Sequence, residues 1–162
     1  MTCDLRAKLI PAIQCAREIP TDLGMRRYTL TIRVRTWSGG RPGVGTPANA
    51  DLMITPRPRV RAVSVREVQA SGGRYTDGDL VADRINPYVA GPPVVGYTPA
   101  QLRPVASGTA QEVIYVLTGD EGPFECSLVG DYFTGEGRSF TPSLGGVFEY
   151  ALVLRRKIRP VR

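Results

Sequence analysis

One stretch constrains this chain more than any other: Tyr28-Thr29-Leu30-Thr31-Ile32-Arg33-Val34-Arg35-Thr36-Trp37. Successive side chains of a strand point to opposite faces, so Leu30, Ile32 and Val34 share one side while Thr29, Thr31, Arg33 and Arg35 share the other. Apolar residues on one face and polar ones on the other define a half-buried β-strand, with its apolar face toward the core. The strand runs directly into Ser38-Gly39-Gly40-Arg41-Pro42-Gly43-Val44-Gly45-Thr46-Pro47, where glycine and proline interrupt regular backbone. The same succession of β-rich runs and Gly/Pro punctuation continues to the end of the chain. With 18 glycines and 14 prolines in 162 residues, the composition favours turns and long loops over long helices.

The residues before this strand read differently. Asp4 is placed to cap a short helix through Leu5, Ala7, Leu9 and Ile10, and Pro11 removes a backbone donor that a longer helix would need. Residues 1–26 are therefore expected to form one or two short helical pieces, or an arm that orders on a partner. Residues 27–156 are expected to form one β domain with long loops at 37–49, 86–110 and 130–146, followed by a basic tail at 157–162. A chain of this size supports a single core, and its 42% hydrophobic and 22% charged content is ordinary for a globular domain.

Within the domain, residues 50–55 form a second β run. Arg59 to Val68 changes phase between Val60/Ala62 and Val63/Val65, which fits either a β-bulge or two strands bent at that point. Gly72-Gly73 and Asp77-Gly78 mark turns, and Leu80–Ile85 a short strand. Between 86 and 110 five prolines, in Asn86-Pro87, Gly91-Pro92-Pro93, Thr98-Pro99 and Arg103-Pro104, hold the backbone outside helical geometry, and one helical turn is expected at Thr98–Leu102, with Thr98 as cap and Pro99 in the first position. Glu112–Thr118, apolar at nearly every position, reads as a central strand buried on both sides. Phe124, Cys126 and Leu128 share a face of the next strand; Phe148, Tyr150, Leu152 and Leu154 share a face of the last. Roughly six to eight short strands separated by turns predict an all-β fold, an antiparallel barrel or sandwich.

No catalytic constellation is legible. The chain contains no histidine, and Cys3, Cys15 and Cys126 lack CxxC spacing, which argues against a structural zinc site. Cys126 alternates with Phe124 and Leu128, the pattern of a buried apolar residue. Asp77, Asp79 and Asp83 crowd one hairpin, Asp120, Glu121 and Asp131 are expected in turns, where turn chemistry alone accounts for acidic residues, and Asp77-Gly78-Asp79 lacks the rest of a calcium loop. The Gly39–Gly45 loop lacks the GK[ST] ending of a phosphate loop. No catalytic residue, metal or cofactor is expected.

Lys+Arg outnumber Asp+Glu by 21 to 15, giving a net charge of +6, and arginine supplies most of the excess. Arg33, Arg35, Arg57, Arg59, Arg61 and Arg66 lie on or beside two neighbouring β runs, in a pattern that fits a solvated face, an interface with acidic surfaces, or nucleic-acid binding. For nucleic acid, stacking aromatics are wanted on the same face, and only Trp37 is available there. No apolar run reaches membrane-spanning length and the N-terminus does not read as a secretory signal, so a cytosolic site of synthesis is expected.

The succession Ile19-Pro20-x-x-Leu23-Gly24, Tyr28-x-Leu30-Thr31-Ile32-Arg33-Val34-Arg35-Thr36-Trp37-Ser38-Gly39, Thr55-Pro56-Arg57-Pro58-x-Val60, Ser71-Gly72-Gly73-Arg74-Tyr75 and Tyr150-x-Leu152-Val153-Leu154-Arg155-Arg156 resembles small β-barrel proteins encoded among the head and neck genes of tailed bacteriophages. The resemblance implies a non-enzymatic virion protein, assembled in the bacterial cytoplasm. As a head-closure or head-to-tail connector subunit, it would form a ring that joins portal and tail around the DNA channel. It further implies portal or adaptor and tail proteins as partners, with passing contact to genomic DNA and no membrane. On that reading Arg33, Arg35, Trp37, Arg41, Arg57, Arg59, Arg155 and Arg156 are the interface candidates. A tail-terminator or collar subunit, or a basic β-barrel that binds nucleic acid directly, stand as alternatives.

Overall fold

The computed structural model describes residues 28–86, 96–120, 122–134 and 149–158, with side chains of 133 and 134 left aside. The expected arm at 1–26, most of the 130–146 loop, Cys3, Cys15, Phe148 and the end of the basic tail lie outside the described residues. The elements in chain order are β1 (Thr29–Trp37), β2 (Pro47–Met53), β3 (Arg59–Ala62), α1 (Val65–Ala70), β4 (Leu80–Ile85), α2 (Pro99–Leu102), β5 (Gln111–Gly119), β6 (Gly122–Thr134) and β7 (Glu149–Arg156). The strands form one antiparallel sheet in the order β2-β1-β5-β6-β7-β4-β3. The all-β expectation holds.

Barrel or sandwich requires correction, because a single sheet curls on itself without closing. Its edges, β2 and β3, are consecutive in sequence and joined only by residues 54–58, a link that spans at most about 20 Å. The two edges must therefore approach each other, yet no pairing joins them among the described residues. The backbone of the link explains the gap. Pro56 and Pro58 carry no N–H, and the Tyr97 hydroxyl takes over the polar groups beside them. It accepts from the Thr55 N–H at 2.8 Å and lies 3.2 Å from the Met53 carbonyl and 3.3 Å from that of Thr55.

The concave face encloses the main core. Leu30 and Ile32 of β1, Tyr115 and Leu117 of β5, Phe124 and Cys126 of β6, Tyr150, Leu152 and Leu154 of β7, and Ala82 and Ile85 of β4 form one cluster with Ile54 and Leu102. Val34, expected beside Leu30 and Ile32, is only half-buried, because it sits where β1 nears the open hairpin. Cys126 is fully buried, as its alternation predicts, and burial pushes its thiol up to about 11. A neutral, inaccessible thiol reacts slowly. Iodoacetamide at pH 8 is therefore expected to leave Cys126 unmodified in folded protein and to modify it after denaturation, as read by peptide mass mapping.

A second, smaller core lies on the convex face, where Val63, Val81, Ala151 and Val153 pack with Val68, Tyr75, Val129 and Tyr132. Helix α1 covers it. This helix replaces the bulged or bent strand expected after Ala62, and the cause is local: Ser64 accepts the Glu67 N–H while the Glu67 carboxylate accepts the Ser64 N–H at 2.7 Å, closing a capping box. The expected single turn at Thr98 forms as α2, capped by Thr98 with Pro99 first, and its Leu102 enters the main core. Strand β6 continues through Gly130 to Thr134, into residues expected to begin a loop. Gly130 stands at a register shift in β6 where Tyr75 crosses the strand, and a Cβ there would lie 2.9 Å from the Tyr75 hydroxyl.

Candidate interaction surface

The alternation that sends Leu30 and Ile32 inward sends Arg33 and Arg35 to the convex face, as expected. There they meet carboxylates from neighbouring strands. Arg33 stands opposite Asp51 of β2 and makes a two-pronged contact, Nε and Nη2 each 2.7 Å from a carboxylate oxygen. Arg35 stands opposite Glu112 of β5 and reaches Glu125 of β6 at 3.0 Å, with only 12% of its side chain exposed. Lys157 binds the same Glu112 at 2.7 Å. On the other half of the sheet Arg59 stands opposite Asp83 and grips it with Nε at 2.9 Å and Nη2 at 2.6 Å. Arg61 bridges Asp83 and Glu67, and Arg155 holds Asp79 with two bonds of 2.8 Å. Directly opposed charges of opposite sign stabilise a strand pair, and planar guanidinium–carboxylate forks are the stronger form of that contact.

These pairings set the electrostatics. Asp51, Glu67 and Asp79 are held below the usual carboxylate range, in each case first by the hydrogen bond from their arginine. The carboxylate of Asp79 also takes the Thr76 N–H at 2.8 Å, so its site is a turn and an ion pair at once. Ile114 and Val116 point to this same face, opposite in phase to Tyr115 and Leu117, and are nonetheless buried. Long basic side chains cover apolar surface with their stems, and here that cover includes the Arg33 stem opposite Ile114.

The interface candidates are only partly brought together. Arg33, Arg155 and Arg156 line one groove of about 780 Å³, together with Val116, Phe124, Asp79, Glu125 and Lys157. Arg156 lies 4.2 Å above the Phe124 ring. Arg35 lies 5.6 Å from the Trp37 ring centre, so the one aromatic available for stacking already carries a guanidinium. Arg57 and Arg59 lie near the β3 edge, away from this groove, and Arg41 is alone at the exposed tip of the β1–β2 hairpin. The carboxylate partners Asp51, Glu112 and Glu125 were not singled out from sequence. Only alternation along their own strands marks them, since what brings them to Arg33 and Arg35 is strand order. Among the described residues no three Cys, Asp or Glu side chains converge in a way that holds a metal ion. No protein-family model matches the chain, and no curated protein or solved structure matches it either.

Proposed function

We propose that the chain is a structural subunit of a tailed-bacteriophage neck, a ring-forming protein that joins portal and tail around the DNA channel without catalysing a reaction. The sequence resemblance motivates this reading, and the observation that carries it is the β1–β2 hairpin. Every residue from Ser38 to Asp51 is exposed, and the tip is tied back to the body by one described side-chain bond, Thr109 Oγ1 to the Gly40 carbonyl at 3.2 Å. A projecting hairpin on a charge-paired sheet is the shape of a part that reaches into neighbouring layers of an assembly. Arg41 at its tip and Arg156 over Phe124 are the interface candidates without a carboxylate partner among the described residues. They are the cations this reading assigns to acidic partner surfaces.

Direct binding of nucleic acid draws less support, because Arg33, Arg35, Arg59 and Arg155 already hold carboxylates and phosphate would have to displace them. The test is mass spectrometry and electron microscopy of virions from the phage that encodes this chain. Density for a ring of this fold between portal and tail is the expected result; absence of the polypeptide from virions overturns the proposal.

A further inference from the structure

Strand β2 is an edge that the fold leaves open from Pro47 to Asp51, with the Tyr97 hydroxyl against its Met53 end. Natural edges are blunted by shortness, by charged side chains, by proline or by a covering element, and β2 carries proline at its first position only. The β3 edge has four residues and two arginines, whereas β2 runs Pro47-Ala48-Asn49-Ala50-Asp51-Leu52-Met53 with one charge, and that charge is neutralised by Arg33. The backbone alternation along β2 follows from its flanks. Ser38 N–H donates to the Thr46 carbonyl and Ile54 N–H to that of Leu30, so even-numbered residues of β2 turn their backbone groups toward β1. The odd-numbered ones, Pro47, Asn49, Asp51 and Met53, turn theirs to the free edge.

From these groups we infer that β2 pairs with β2 of a second copy of this chain, antiparallel about a two-fold axis at Ala50. In that register Asn49 and Asp51 exchange both backbone bonds with Asp51 and Asn49 of the second copy, and each Met53 N–H meets the other Pro47 carbonyl. Proline has no N–H to return to the opposing Met53 carbonyl. That carbonyl already lies 3.2 Å from the Tyr97 hydroxyl, so it is served from within its own chain. Side chains match in the same register. Leu52 meets Ala48 on the concave side, Met53 meets Pro47 and Asp51 meets Asn49 on the convex side, and no like charges oppose one another. Met53 is 59% exposed in the single chain and gains an apolar neighbour. A two-fold contact joins copies in pairs, so it is independent both of the neck reading and of the head-to-tail contacts a ring requires.

Sedimentation of the purified full chain is expected to show a concentration-dependent monomer–dimer equilibrium. Hydrogen exchange is expected to slow by about tenfold or more at the amides of Asn49, Asp51 and Met53 on passing from monomer to dimer. Asn49→Pro removes a backbone donor that faces the free edge and, within the monomer, only the long exposed 3.4 Å contact from Arg35 Nε to the Asn49 side chain, so it should weaken the dimer by about tenfold or more and leave the melting temperature within about 3 °C. A chain that is monomeric at every concentration overturns the inference. So does a dimer whose Asn49 and Asp51 amides exchange as fast as in the monomer, a result read on the wild-type chain whatever the variant does.

Discussion

Replacing Ile32 with Asp is expected to abolish soluble folded protein. Ile32 is 2% exposed, faces the concave core and stands opposite Tyr115 of β5 and Leu52 of β2; its cluster holds no cation, and the Tyr115 and Tyr150 hydroxyls in it already donate to the Leu102 carbonyl and the Asp131 carboxylate. An unpaired buried charge costs several kcal/mol, and loss of the isoleucine packing adds about 2–5 kcal/mol. The sum reaches the about 5–15 kcal/mol that holds a domain together. Expression in the insoluble fraction, or a soluble product without near-ultraviolet circular dichroism, is the expected readout; a folded variant melting near wild type would show that β1 does not face the core. Ile32→Val, which keeps shape and polarity, is expected to cost about 1 kcal/mol.

The second large effect is expected at Glu67, which does three jobs at one carboxylate. It closes the capping box of α1, binds Arg61 with contacts of 2.6 and 2.8 Å, and accepts the Tyr132 hydroxyl at 3.0 Å. Tyr132 and Val68 in turn cover the convex core. Glu67→Ala is expected to destabilise by about 2–3 kcal/mol: about 1 kcal/mol from the cap, and the rest from the lost contacts to Arg61 and Tyr132, discounted because both ends of the ion pair are partly exposed and Arg61 keeps Asp83. Glu67→Gln keeps the cap acceptor and should recover roughly 1 kcal/mol of that. Urea denaturation of the two variants separates cap from charge, and equal stability of wild type and alanine variant would show that α1 contributes nothing to the fold.

The same carboxylates predict the acid limb of stability. Glu67, Asp79 and Asp51 have folded-state values below their ordinary ones of 4.5 and 3.8, so the unfolded chain binds protons first as pH falls. Their contribution is complete above the ordinary values and is lost as pH drops through the lowered ones. Thermal melts are expected to be level from neutral pH to about 5 and to fall steeply below about 4, with a shallower fall in Glu67→Gln. A melting temperature independent of pH between 5 and 2 would contradict the ion pairs.

What this surface does to the interface candidates is specific. From sequence, Arg33 and Arg35 fit a solvated face, an interface with acidic surfaces, or nucleic-acid binding. With Arg35 nearly buried and bonded to Glu125 at 3.0 Å, its loss removes a partly buried ion pair while Glu112 keeps Lys157, so a stability cost belongs to the monomer before any assembly is considered. Arg41 is the candidate whose replacement tests contact with neighbours alone.

Several elements were legible because their signals are local. The inward phase of Leu30 and Ile32, the β4 strand at Leu80–Ile85, the Thr98 cap with Pro99 behind it, and the buried Cys126 each follow from residues a few positions apart, where backbone geometry decides which side chains share a face. Helix α1 carried a local signal too, Ser64-x-x-Glu67, but the β-branched residues Val60, Val63 and Val65 around it pointed to strand. The strand order β2-β1-β5-β6-β7-β4-β3 had no local signal at all. Alternation along β1 by itself determined that the arginines face away from the core. Only the tertiary structure decided that Asp51, Glu112 and Glu125 would be waiting for them, because register and strand order join residues 18 to 90 positions apart. The same nonlocal pairing left the curled sheet open between β2 and β3, and with it the bare edge at Asn49 and Asp51.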